Sequence, residues 1–126
     1  MAETQLVFVA HGARDPHWAD PLRDALEDVR ASTSLPVHIA YLSHQNPSLH
    51  QVAGEASAAG ATQLLILPLL LSGLGHMDRD LLGLVESIQQ ELDIHLELLP
   101  AMGETPEFRD MLKAIVQRVG NSQNDD

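Results

Sequence analysis

The chain has 126 residues, no cysteine and a formal net charge of −11, from seven Lys plus Arg against eighteen Asp plus Glu. That length fits one domain, and an apolar fraction of 44% fills a single core without implying a membrane protein. The acidity repels nucleic-acid phosphates and anionic membranes, the 3% aromatic content offers no base-stacking platform, and the lack of thiols excludes disulfides, thiolate nucleophiles, iron–sulfur clusters and thiolate zinc sites.

The first residues, Met-Ala-Glu-Thr-Gln, carry no basic region and run directly into an apolar strand pattern, so we expect no signal or transit peptide and a cytoplasmic location. The longest apolar run, residues 64–71, contains Pro68 and is far shorter than the roughly 20 residues of a spanning helix. Residues 5–10 (QLVFVA) read as the first strand. Asp15-Pro16 and Asp20-Pro21 then offer two helix start signals; a short turn followed by a helix from about Asp20 fits best, with Trp18, Leu22, Ala25, Leu26 and Val29 on one face. Residues 37–41 (VHIAY) form the second strand. Asn46 before Pro47 marks the next helix, whose stripe is Leu49, Val52, Ala53 and Ala56, and Gly60 closes it.

The third strand is 63–67 (QLLIL), followed by a helix with the stripe Leu81, Val85, Ile88 and Leu92. The fourth is 95–98 (HLEL). Thr105-Pro106 starts a last helix with Phe108, Met111, Leu112, Ile115, Val116 and Val119 on one side, and the polar residues 120–126 read as a disordered tail beyond a domain of residues 1–119. Strand and helix alternating four times predict an α/β fold: a single doubly wound domain whose four-stranded parallel sheet, in the order 2-1-3-4, has helices on both faces. In such sheets ligands bind beyond the strand C-termini at the switch point, here between the first and third strands.

Both loops at that point bear histidine and glycine. His11-Gly12-Ala13-Arg14-Asp15-Pro16 follows the first strand, and Ser72-Gly73-Leu74-Gly75-His76-Met77-Asp78-Arg79-Asp80 follows the third. Glycines 12, 73 and 75 let the backbone turn tightly and approach a ligand closely. Two imidazoles from adjacent strand ends can ligate a divalent metal of the Fe, Co, Ni, Cu or Zn kind, or take up protons near neutral pH. The competing account is that His11 hydrogen-bonds its own turn and His76 caps the third helix; no compact metal motif such as H-E-x-x-H occurs to decide by spacing alone.

These residues carry a resemblance. The segment from His11 to Pro16, the run 40–49 (AYLSHQNPSL), and 67–71 (LPLLL) leading to Gly75-His76 and Arg79-Asp80 resemble the CbiX/SirB group of class II chelatases. Order and spacing agree over nearly the whole chain, including the turn at 103–106. The resemblance implies a chelatase-like half-domain that inserts Co²⁺, Fe²⁺ or Ni²⁺, the metal being a substrate, into sirohydrochlorin, a tetrapyrrole of cobalamin and sirohaem synthesis, without a nucleotide. It implies His11 and His76 as metal-binding and catalytic residues, with Gly12, Arg14, Ser43, Gly75 and Arg79 around the macrocycle. It further implies a homodimer, because members of this length resemble one half of longer chelatases.

Four positions depart from the family pattern: Ala13 stands where many relatives have serine, Ser43 where many have a metal-associated glutamate, Leu74 in place of a common glycine, and Asp78 where a basic residue is frequent. His44 adjoins Ser43, and neighbours on an extended chain point opposite ways, so an exposed His44 is expected. A polycarboxylate substrate and an acidic protein repel at long range, which leaves recognition to Arg14, Arg79 and helix N-termini. The alternative is a non-catalytic metal or tetrapyrrole carrier. Phosphoryl transfer through the His-Gly pair ranks third, because Ala10 stands where such chemistry wants an arginine.

Overall fold

The computed structural model describes residues 3–72 and 76–124; the side chains at 76–79 and 124 lie outside that description. Four strands, β1 (Thr4–Ala10), β2 (Val37–Tyr41), β3 (Gln63–Pro68) and β4 (His95–Leu98), pair in parallel in the order β2-β1-β3-β4. They alternate with α1 (Asp20–Ala31), α2 (Leu49–Ala58), α3 (His76–Glu91) and α4 (Pro106–Asn124), with a short 3₁₀ turn at Met102–Glu104. Among the described residues no helix is long and apolar enough to cross a membrane.

Register decides which side chains share a face. Val7 and Val9 lie on one face with Leu64, Ile66, Leu96 and Ala40, all buried beneath Leu49, Val52, Ala53 and Ala56 of α2 and Leu81, Val85 and Ile88 of α3. On the opposite face Leu6, Phe8, Val37, Ile39 and Tyr41 meet Leu22, Leu26 and Val29 of α1. That second face is only half covered. Leu65 and Leu67 of β3 sit in register with Leu6 and Phe8, yet they are only half-buried, and Glu97, paired with Leu65, is exposed.

Helix ends follow local chemistry. Ser48 accepts from the Gln51 amide while the Gln51 side chain accepts from the Ser48 amide, a reciprocal capping box at the start of α2. The expected start at Asn46-Pro47 is therefore corrected: the Pro47 carbonyl is taken by the Tyr41 amide, which holds residue 47 against the end of β2. Gly60, at φ +93°, terminates α2 as expected, with Gly60 N–H donating to Ser57 and Ala61 N–H to Ala56. Thr105 Oγ1 accepts from the Phe108 amide and caps α4.

Three other expectations change. Trp18 lies in the turn before α1, 45% exposed, and not on the helix face. The helix α4 continues through Gly120 to Asn124, where a disordered tail was expected to begin. Its apolar stripe is not core: every described residue from 109 to 123 is exposed.

Gln5 is buried, and its Oε1 accepts from His38 Nε2 at 2.7 Å. Burial, then the positive charge of Arg30, lowers the His38 pKa, while Glu55 opposes the shift. A histidine depressed in the folded state stays neutral there while the unfolded chain protonates near pH 6.5, so the unfolded state binds more protons and stability falls as pH drops below that value. Urea midpoints at pH 7.5 and 5.5 should differ more for wild type than for His38→Gln.

Candidate functional site

β1 ends at Ala10, but the hydrogen-bonding between the β1 and β2 segments runs two residues further. Leu42 N–H donates to the Ala10 carbonyl at 3.0 Å, and the His11 carbonyl accepts from both the Ser43 amide (3.1 Å) and the Ser43 hydroxyl (3.2 Å). On the other side Leu69 N–H donates to Val9. The backbone that carries His11 is thus held between two neighbours, while its side chain lies in an exposed residue. His11 Nδ1 lies 3.0 Å from the Gly12 carbonyl. A carbonyl only accepts, so this contact requires the proton on Nδ1 and leaves the Nε2 lone pair as the ligand or proton acceptor.

Gly12 is buried at φ +89°, and a Cβ there would lie 1.9 Å from the Ser43 carbonyl oxygen. Only glycine satisfies both the conformation and the contact. Gln45 ties the two loops together, since its Oε1 accepts from the Ala13 amide and its Nε2 donates to the Asp15 carbonyl. Sequence reasoning assigned Gln45 no role; an amide side chain offers both a donor and an acceptor, and partners 30 and 32 residues away leave nothing local to mark it. His44, at φ 66°, is exposed as expected.

Arg14 is exposed and makes no ion pair among the described residues; the Asp15 carboxylate instead accepts from the His17 amide. Ser43 is half-buried with its hydroxyl engaged by His11, so its place in the structure is that of a loop tie. His17 and His50 pair on the surface with Asp20 and Glu91.

The second loop leaves β3 at the same sheet edge. Its start is braced by the 3₁₀ turn, where Gly103 N–H donates to the Leu70 carbonyl and a Cβ on residue 103 would come within 2.0 Å of the Leu71 carbonyl. The backbone re-enters a helix at His76, so positions 11 and 76 follow adjacent parallel strands. Gly75 and the His76 and Arg79 side chains lie outside the described residues. Among those described, no three His, Asp or Glu side chains gather closely enough to hold a metal ion.

A family model described as CbiX matches residues 5–119. The chain belongs to the CbiX family. It is 33% identical over 85 residues to the sirohydrochlorin cobaltochelatase of Methanocaldococcus jannaschii and 28% identical over 85 residues to that of Methanococcus maripaludis. Each match takes in 64% of this chain and 59% of the relative, so the chain spans less than two thirds of these curated relatives. The fold is that of a CbiX protein from Marinobacter aquaeolei, with a TM-score of 0.85 at 24% identity over 94% of this chain and 98% of that one. SirB of Bacillus subtilis solved with Fe³⁺ superposes with a TM-score of 0.76 at 23% identity over 91% of this chain but only 45% of its own. Sirohydrochlorin chelatase SirB of B. subtilis subspecies spizizenii, in complex with cobalt, gives 0.74 at 23% identity over 94% and 50%.

Proposed function

We propose that the protein is an ATP-independent sirohydrochlorin chelatase, acting as a cytoplasmic homodimer, that places Co²⁺, Fe²⁺ or Ni²⁺ into the macrocycle. The observation that carries this reading is His11. Its carbonyl is held by Ser43 while Leu69 holds Val9 two residues before it, Nδ1 is committed to the Gly12 carbonyl, and Nε2 remains for a ligand at the sheet edge from which His76 also departs. Membership of the CbiX family and likeness to cobaltochelatases support the substrate class.

In this reading the divalent metal is a substrate, held by neutral imidazole until pyrrole nitrogens replace the protein donors. His11 and His76 are the proposed ligands, and a ring that has given up the metal becomes a base for a departing pyrrole proton. Arg14, exposed and without an ion pair among the described residues, is available to substrate carboxylates. A sparse donor set suits transfer, because a site that gripped the ion tightly would oppose its release.

The test is incubation of the protein with sirohydrochlorin and each metal in turn, following the visible absorption of the macrocycle against a protein-free control. Insertion faster than the control with at least one metal is the expected result. Tight metal binding with rates equal to the control for every metal would select the carrier alternative.

A further inference from the structure

One side chain brackets Arg14. The Ala13 N–H donates to Gln45 Oε1 at 3.3 Å and Gln45 Nε2 donates to the Asp15 carbonyl at 3.2 Å, so a single primary amide holds a peptide group on either side of residue 14. Only an uncharged amide can do this, since one bond needs an acceptor and the other a donor. Gln45 is half-buried and is itself fixed. Its backbone N–H donates to the Ser43 carbonyl at 2.8 Å, across a three-residue turn that holds His44 at φ 66°. Such a turn is rare and strained for a residue with a side chain, and it persists where the surrounding bonds over-determine it. Those bonds are present: Ser43 donates twice to the His11 carbonyl, so the contacts run from His11 through Ser43 to Gln45 and back to residues 13 and 15.

The acidic side chains that follow Arg14 are engaged by other groups. Asp15 Oδ1 accepts from the His17 amide at 2.9 Å, and Asp20 meets His17 at 3.1 Å and Arg23 at 3.3 Å. Arg14 is exposed and makes no ion pair among the described residues, although the chain carries a net charge of −11. A guanidinium in that position is available to an anion from outside, and its bidentate fork suits a carboxylate. Its grip depends on how little freedom is lost when it binds. A residue whose flanking peptide groups are already bonded loses only side-chain rotamers, whereas one on a loose loop also loses backbone entropy.

We propose that Gln45 is a positioning residue: it fixes Arg14 relative to His11, so that the guanidinium meets a carboxylate of the macrocycle whose nitrogens receive the metal. This rests on the chelatase reading and deepens it, by naming the side chain that sets substrate affinity from behind the contact. Gln45 touches neither metal nor macrocycle. Its effect therefore passes through Arg14 and falls on substrate binding more than on the metal.

The test compares Gln45→Met, which keeps size and neutrality but lacks the donor, with Gln45→Ala, Arg14→Ala and the Gln45→Met/Arg14→Ala double variant. Equilibrium binding of sirohydrochlorin without metal is followed by fluorescence, insertion rates by absorption, and Co²⁺ binding by calorimetry. Each single variant should raise the Kd and KM for the macrocycle about tenfold, with kcat within about twofold of wild type. Co²⁺ affinity should stay at the wild-type value, because the His11 carbonyl is held by Ser43 and not by the Gln45 side chain. In the Arg14→Ala background, Gln45→Met should add less than about twofold, since the group it positions is already gone. Penalties that multiply in full, or a matching loss of Co²⁺ affinity, would show Gln45 acting on the loop at large and would overturn the assignment. Wild-type macrocycle affinity in both Gln45 variants also overturns it while leaving the chelatase reading intact. A wild type that neither binds nor metallates sirohydrochlorin overturns both.

Discussion

Replacing His11 or His76 with alanine is expected to lower the rate of metal insertion by roughly 10²-fold or more, to near the uncatalysed rate, with little loss of stability for His11→Ala. The reason for His11 is local. Its ring contributes one hydrogen bond, to the Gly12 carbonyl of its own turn, whereas the bonds that hold the segment, from Ser43 and Leu69, go to backbone carbonyls that alanine keeps. His11→Ala thus deletes a lone pair and leaves the scaffold. The check is the absorption assay run beside calorimetric Co²⁺ titration of the same variants. Wild-type insertion rates in both variants would remove histidine from the mechanism; wild-type metal affinity in the double variant would remove it from metal binding.

Gly12→Val should have the largest effect on the fold of any single change at the site. A β-branched residue at φ +89° costs about 1–3 kcal/mol by itself, and the 1.9 Å approach of its Cβ to the Ser43 carbonyl forces the 42–45 segment away from His11. The expected loss is about 3 kcal/mol or more, together with loss of insertion activity, since both bonds from Ser43 to the His11 carbonyl are strained at once. Urea denaturation gives the stability term. A midpoint within error of wild type would mean that the loop yields freely, against the tight packing described above.

Much of this architecture is written in short-range patterns. Strand periodicity places all four strands to within a residue, and the helix-capping chemistry of Gly60 and Thr105 identifies two boundaries, because each depends only on residues a turn apart. Asn46-Pro47 misleads for a physical reason: the Tyr41 amide at the end of β2 needs an acceptor, and the Pro47 carbonyl supplies it, displacing the cap to Ser48. Trp18 has the spacing of a core residue but lies ahead of the first helical turn.

The stripe on α4 is the most instructive case. Its spacing correctly predicts an amphipathic helix, yet periodicity says that a face must be covered and nothing about which surface covers it. At the site, His11 and Gly12 were legible from their place after the first strand. Gln45 was not, because its two bonds span 30 and 32 residues and leave no local signature.

The doubly bonded carbonyl of His11 bears on the entropy of binding. A loop that orders only when ligand arrives must draw that ordering free energy from the ligand's own contacts, at roughly 1–2 kcal/mol per backbone residue. With residues 9–11 already fixed from both sides, that entropy is lost during folding. For the proposed role of His11 as a ligand, the remaining cost is the restriction of a single imidazole's rotamers, so even one weak Nε2–metal bond would not be offset by the cost of ordering the chain that presents it.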